Sequence, residues 1–209
     1  MNIAIIGTGS VGQTLGRGWA STGHNVIFGS RRADAEETKT LVASIGEQAC
    51  ATGHDEAVGA ADVVAFATPW TATPTLADAL DLSGKIVIDC TNPLKPDLSG
   101  LAVGGDTSGA EEIAKRATGA RVVKAFNSTS TENMADPQYG DEALTMFICG
   151  DDAEAKTTVA GLAEDLGFEV VDAGPLRQAR YLEPLAMLFI TLAHVQGLGR
   201  NIGFKLLQR

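Results

Sequence analysis

Asn2-Ile3-Ala4-Ile5-Ile6, followed at once by Gly7-Thr8-Gly9-Ser10-Val11-Gly12, is a short β-branched run that stops at a glycine turn. The next stretch has helical spacing, with Val11, Leu15 and Trp19 four residues apart, so the turn joins a strand to a helix. That is the context in which a G-x-G-x-x-G motif carries meaning. Gly7 allows the tight turn, Gly9 lets the backbone approach a pyrophosphate and Gly12 lets the helix sit close on the strand. The N–H groups of the helix N-terminus then face the phosphates. Gly16 and Ala20 continue the small stripe that Gly12 begins.

Outward from this turn, Val26-Ile27-Phe28 reads as the second strand. It ends about twenty residues past the glycines, where a dinucleotide fold chooses between NAD and NADP. No carboxylate stands there. The chain instead reads Gly29-Ser30-Arg31-Arg32, a hydroxyl and two guanidiniums, and guanidinium forks onto phosphate oxygens where an Asp would repel them. The expected cofactor is therefore NADP(H), the alternative being that the two arginines form a solvated loop.

The bulk numbers set limits. At 209 residues the chain is long enough for one well-buried domain, or one domain with an appendage. Its 44% hydrophobic and 20% charged content is that of an ordinary globular protein. A net charge of −10 and a pI near 4.7 argue against nucleic acid as a partner. Cys50, Cys90 and Cys149 are far apart, without C-x-x-C or His partners, and read as small apolar residues in or beside strands; no disulfide framework and no metal site is expected. Because the chain opens on its first strand, no cleavable signal is expected. The longest apolar stretch, Leu185 to Ala193, is too short to span a bilayer. A cytoplasmic protein without membrane association is the expectation.

Further along, Asp34 and Glu37 have capping-box spacing, with Thr38, Leu41, Val42 and Ile45 on one helical face and Gly46 as the stop. Gln48 to Thr52 is a weak third strand. Val63-Val64-Ala65-Phe66-Ala67 is a continuous apolar run of the kind a strand covered on both faces needs. Strands alternating with helices imply a Rossmann-type, doubly wound, mostly parallel sheet. Thr68-Pro69-Trp70 ends the fourth strand, Lys85 to Asp89 supplies a fifth that leads to Thr91-Asn92-Pro93, and Arg121 to Asn127 a sixth that leads to Ser128-Thr129-Ser130. Three strand ends thus meet at the carboxyl edge, where ligands of such sheets bind. Ser108 to Glu111 repeats the capping box, and Leu144 to Cys149, a helix from Asp151 or Asp152, and Phe168 to Val171 complete an α/β domain of about residues 1 to 175.

Residues 176 to 209 read as a helical tail. Gln178 to Gln196 is apolar almost all round, and a helix apolar on every face must be covered on every face. A homodimer is the expected cover, the alternative being that Gly197 to Arg209 folds back over it. His24 and His54 read as solvated, and His194 as a core or interface residue. Lys124 and Asn127 could be a catalytic pair of the hydroxyacid-dehydrogenase kind, although the large helical substrate domain of those enzymes is missing.

The opening and hook, together with Thr68-Pro69-Trp70, Cys149-Gly150-Asp151-Asp152, Asp172-Ala173-Gly174-Pro175-Leu176 and Arg180-Tyr181-Leu182-Glu183, resemble the coenzyme F420-dependent NADP oxidoreductase family over nearly the whole chain. The resemblance implies a Rossmann-type homodimer that passes a hydride between NADP(H) and a deazaflavin. It implies that Thr8, Gly9, Ser10 and Val11 hold the pyrophosphate and that Ser30, Arg31 and Arg32 hold the 2′-phosphate. Pro69, between Thr68 and Trp70, Asn92, and the loop Ala125-Phe126-Asn127 would hold the nicotinamide end. Where archaeal F420 enzymes carry His-Thr-Ile-Pro, this chain has Phe126-Asn127-Ser128-Thr129. Lys124-Ala125-Phe126-Asn127 is similar to bacterial relatives and to the reductase domain of six-transmembrane metalloreductases, which use a flavin. The second substrate is thus coenzyme F420 or a flavin such as FMN or FAD.

Hydride exchange between two rings depends on proximity and orientation more than on a proton donor, so a crevice with no catalytic acid, base or metal suits it. Carbonyl reduction normally needs an acid near the developing alkoxide. The alternatives to an NADP(H)-dependent oxidoreductase are a non-catalytic NADP(H)-sensing module and an imine or carbonyl reductase.

Overall fold

A computed structural model describes residues 1–209. The opening run forms β1 (Asn2–Ile6), and the glycine turn leads into α1 (Ser10–Ser21) and β2 (Asn25–Gly29). The chain then alternates through α2 (Glu36–Ile45), β3 (Ala49–Thr52), α3 (His54–Ala60), β4 (Val63–Phe66), α4 (Thr73–Ala79), β5 (Ile86–Asp89), α5 (Gly109–Arg116) and β6 (Arg121–Lys124). A short α6 (Thr131–Ala135) and a small hairpin, β7 (Gln138–Tyr139) and β8 (Glu142–Ala143), precede β9 (Thr145–Gly150), α7 (Ala153–Glu164) and β10 (Glu169–Asp172). The last elements are a 3₁₀ turn (Leu176–Gln178), α8 (Ala179–Ile190) and a π turn (Thr191–Val195).

Eight strands form one sheet in the order β3-β2-β1-β4-β5-β6-β9-β10. The first six are parallel in the 3-2-1-4-5-6 order of the dinucleotide-binding fold. β9 runs antiparallel to β6 and parallel to β10, so the sheet is mostly parallel. Ile3 stands opposite Val26 on one side and Val63 on the other, which places β1 at the centre. The reversal of strand order between β1 and β4 opens a crevice at the carboxyl ends of β1, β2 and β4.

The core lies on both faces of the sheet. On one, Ile3, Ile5, Val26 and Phe28 pack with Leu15 and Trp19 of α1 and Val159 and Leu162 of α7. The Trp19 indole N–H donates to Leu162 O at 2.9 Å, tying α1 to α7. On the other face Ala4, Ile6, Val64, Phe66 and Val87 meet α3, α5 and Leu182 of α8. Full coverage explains why β1 and β4 read as unbroken apolar runs.

The caps at Ser108 and Asp152 are as expected: each side chain accepts the amide three residues on, at 3.2 and 2.7 Å. The expectations for Asp34 and His24 need correcting. α2 is capped by Ala35, not Asp34, because the chain turns at Arg32, whose carbonyl accepts the Ala35 amide, and the helix starts later. All three cysteines lie in or beside strands as expected, Cys50 exposed on the edge strand β3 and Cys90 and Cys149 buried. His24 is not free in solvent: its ring bonds Asp165 at 2.8 Å and is only 15% exposed. His194, expected in the core or at an interface, is exposed in the single chain. α4, α6 and the hairpin were not anticipated.

The expected helix over Gln178 to Gln196 is three segments, and its inward face carries the fully buried carboxylate of Glu183. The C-terminal segment does fold back. Phe204 packs edge-on against Phe189 at 6.5 Å, and its carbonyl accepts the Thr145 amide. Tyr181, Leu188, Val195 and Leu198 stay exposed outside this cover. No helix is long and apolar enough to cross a membrane.

Candidate functional site

The glycine turn has the shape its spacing calls for. Gly7 sits at φ +123°, in the left-handed region, and a side chain there would meet the Ala67 carbonyl at 2.5 Å. A Cβ on Gly12 would lie 2.1 Å from Gly7 O, so α1 touches the turn backbone to backbone. Gly9, by contrast, has nothing within 4 Å of where a Cβ would stand and opens on solvent space. It is the cap residue of α1 without any side-chain cap bond. The Gln13 amide bonds Gly9 O at 2.9 Å, which leaves the amides of Ser10, Val11 and Gly12 ahead of it as free N-terminal donors.

Gly7 and Thr8 of this turn border a cleft of about 810 Å³ at the carboxyl ends of β1, β2 and β4, while Gly9, Ser10, Val11 and Gly12 are not part of its lining. Gly7, Thr8, Ser30, Arg31, Arg32, Thr68 and Pro69 line it together. The hook is held at its backbone: the Ser30 amide donates to Thr52 O at 2.9 Å, and the Arg32 amide to Ser30 Oγ at 3.1 Å. Arg32 also faces Glu37 at 3.5 Å, a highly exposed pair that water screens. Arg31 has no ion pair. Where the sequence placed only strand ends, α4 and the turn before it supply a wall of Thr71, Ala72, Thr75 and Leu76, and His54 enters from the start of α3. Pro74 near the start of α4 was the legible signal for that wall.

Trp70 turns to the other side of α4, where it lines a second depression with Pro74, Val103, Thr107, Glu112 and Arg116. Asn92 and Asn127 interlock at the ends of β5 and β6. Asn127 Nδ2 donates to Asn92 Oδ1 at 3.0 Å and to Leu182 O at 2.9 Å, and Asn92 Nδ2 donates to Asn127 O at 2.8 Å. Asn127 Oδ1 is the one buried side-chain polar atom without a partner. Ala125 and Phe126 are fully buried, and the Phe126 ring stacks edge-on against Trp19 and Phe168 in the core, so the ring itself is outside the crevice.

Lys124 has no catalytic geometry. Its ammonium is fully buried and bonds Asp89 at 2.8 Å, Glu183 at 2.9 Å and Thr91 O at 2.5 Å. Burial pulls that ammonium down; the two carboxylates outweigh it and hold it above its usual value. Glu183 in turn accepts the Gly109 and Ala110 amides at the N-terminus of α5, at 2.9 and 3.1 Å. This ion cluster, which the sequence did not reveal, bolts α8 and α5 to the ends of β5 and β6. Burial, set against the Lys124 ammonium, pushes the Cys149 thiol up to about 12, so it is no nucleophile at neutral pH.

The description "NADP oxidoreductase coenzyme F420-dependent" belongs to the family model that matches residues 2–93. The F420-dependent NADP reductase of Methanothermobacter thermautotrophicus is 33% identical over 226 residues, covering 99% of this chain and 94% of that protein. Rat metalloreductase STEAP3 is 33% identical over 192 residues, covering 89% of this chain, which spans only 37% of that protein's length. A crystal structure from Arthrobacter sp. FB24, described as a candidate F420-dependent NADP reductase, superposes with a TM-score of 0.89 at 30% identity and covers both chains in full. A glycine turn, basic hook and strand order of this kind, matched over its full length by such relatives, make the chain a member of the coenzyme F420-dependent NADP oxidoreductase family.

Proposed function

We propose that the chain is an NADP(H)-dependent oxidoreductase whose second substrate is a flat redox ring, coenzyme F420 or a flavin. The observation that carries it is one cleft holding both the open glycine turn and a carboxylate-free Ser30-Arg31-Arg32 hook. Bound NADPH would supply the hydride, or bound NADP⁺ would accept it. The residues present fit that group: the bare Gly9 surface and the free amides of Ser10 and Val11 suit a pyrophosphate, and Ser30 Oγ and Arg31 a 2′-phosphate. Pro69, Asn92 and the backbone after Ala125 would hold the nicotinamide end.

Titration tests the cofactor. Arg31→Ala should weaken NADPH about tenfold or more and leave NADH nearly unchanged, because only one ligand carries the phosphate. Equal loss for both would refute the hook. Mixing NADPH with F420, FMN, FAD and small imines, while following the NADPH absorbance, then identifies the acceptor. Tight NADPH binding with no turnover on any of them would replace this reading with a sensing module.

The expected domain division, 1–175 with a tail at 176–209, goes with a homodimer built on the exposed Tyr181, Leu188, Val195 and Leu198. A stable monomer at micromolar concentration in light scattering would remove it. A cytoplasmic location accords with this cofactor chemistry.

A further inference from the structure

Resting on the NADP(H) reading above, we propose that His54 is a further ligand of the 2′-phosphate and takes up a proton as that phosphate arrives. Sheet register places it there. Gly29, which ends β2, stands opposite Thr52, which ends β3, and the Ser30 amide donates to Thr52 O. The hook is therefore laced to the chain two residues before His54. Its ring is only partly exposed and lines the same cleft as Ser30, Arg31 and Arg32. A Cβ on Gly29 would come within 3.3 Å of His54 Cδ2, so the imidazole lies over the end of β2.

Charge decides what the imidazole can do. The groups around it are Arg31 and Arg32 of the hook, Glu37 of α2 across the cleft, Asp55 on its own helix, and Glu56, whose carboxylate is taken by Thr52 Oγ1. Glu37 faces Arg32 and offsets only part of its charge, which leaves Arg31 as the one cation here without a carboxylate partner. A phosphate monoester carries about 1.5 to 2 negative charges at neutral pH, so one guanidinium leaves it short by up to about one charge. Imidazolium is the side chain at this spot that can make up the difference. In the free protein, burial and then the Arg31 charge hold the imidazole below its usual value, with Asp55 pulling the other way. A dianion beside Arg31 reverses that field and favours the protonated ring.

The sign follows: binding is strengthened as pH falls, because the complex holds a proton that the free protein lacks. NADP⁺ and NAD⁺ affinities measured at fixed ionic strength, with calorimetry in two buffers of different ionisation enthalpy, test it. NADP⁺ should bind about tenfold more tightly at about pH 6.5 than at about pH 8.5, with net proton uptake, while NAD⁺ stays flat. His54→Gln should abolish both slope and uptake, and bind NADP⁺ as the native protein does at the alkaline end. A flat native profile, or a slope that survives in His54→Gln, would overturn the proposal. So would a variant that weakens NADP⁺ and NAD⁺ alike at every pH, which would mean packing against adenine. Failure of the cofactor reading is distinct: the native protein would then not prefer NADP⁺ at any pH, and Arg31→Ala would change nothing.

Discussion

Replacing Lys124 by Met removes the one cation between two buried carboxylates. Asp89 and Glu183 are 0% and 1% exposed, and both bond the ammonium directly. Asp89 Oδ1 keeps the Thr91 amide and hydroxyl, and Glu183 keeps the two α5 amides, but the negative charges lose their counter-ion. Breaking a buried pair from one side costs about 3–5 kcal/mol. With an unfolding entropy of about 2.1 cal/mol/K per residue over 209 residues, the midpoint should fall by about 7–11 °C. Thermal unfolding followed by circular dichroism at pH 7 measures this, and adding Glu183→Gln to Lys124→Met should recover part of the loss. The pH window is set by the raised value of Lys124. Its contribution is complete below the unfolded lysine value of about 10.4 and is lost only as pH rises through the higher folded value. A midpoint within about 3 °C of native would mean that the cluster does not hold α8 in place. A variant that unfolds normally yet transfers no hydride would return Lys124 to catalysis.

Two glycines that share a motif should behave in opposite ways. Gly9→Ala leaves the melting temperature unchanged but weakens NADPH sharply, because its new methyl occupies open space on the cofactor side. Gly12→Ala drives a methyl into Gly7 O and should destabilise the fold by about 1–3 kcal/mol; equal melting temperatures would contradict the packing described. Glu111 accepts two bonds from Arg180, at 2.8 and 2.7 Å, and the guanidinium holds its carboxyl below the usual range against the effect of burial. That stability is present above the unfolded glutamate value of about 4.3 and is lost as pH falls through the lower folded value. Glu111→Gln should therefore lower the midpoint at pH 7, with the gap to native narrowing below about pH 4.

What the sequence disclosed were features whose partners lie close along the chain. The glycine turn, the hook, and the caps at Ser108 and Asp152 all complete themselves within a few residues, so spacing alone identified them. The cluster of Lys124, Asp89 and Glu183 joins groups 35 and 59 residues apart, and no local pattern marks a lysine as buried. His54 escaped for a related reason: its loop is polar, and only the pairing of β2 with β3 brings it against the hook.

The positions of Lys124 and Asn127 have a geometric cause. Along β6 the side chains alternate, with Val122 and Lys124 facing α5 and α8 and Val123 and Ala125 facing the side of Trp19. Continued alternation would put Phe126 beside Lys124 and Asn127 on the Trp19 side. Phe126 instead adopts φ +61°, a left-handed conformation that costs an L-residue about 1–2 kcal/mol. The turn sends its ring in among Trp19 and Phe168, on the face opposite Lys124, and brings the Asn127 amide round to Asn92 and the Leu182 carbonyl. Packing of the ring on two aromatic partners offsets that strain. One strained residue thus brings an asparagine at the end of β6 round to the side of a lysine that secures the scaffold, where a strand read at period two would have set the two on opposite faces.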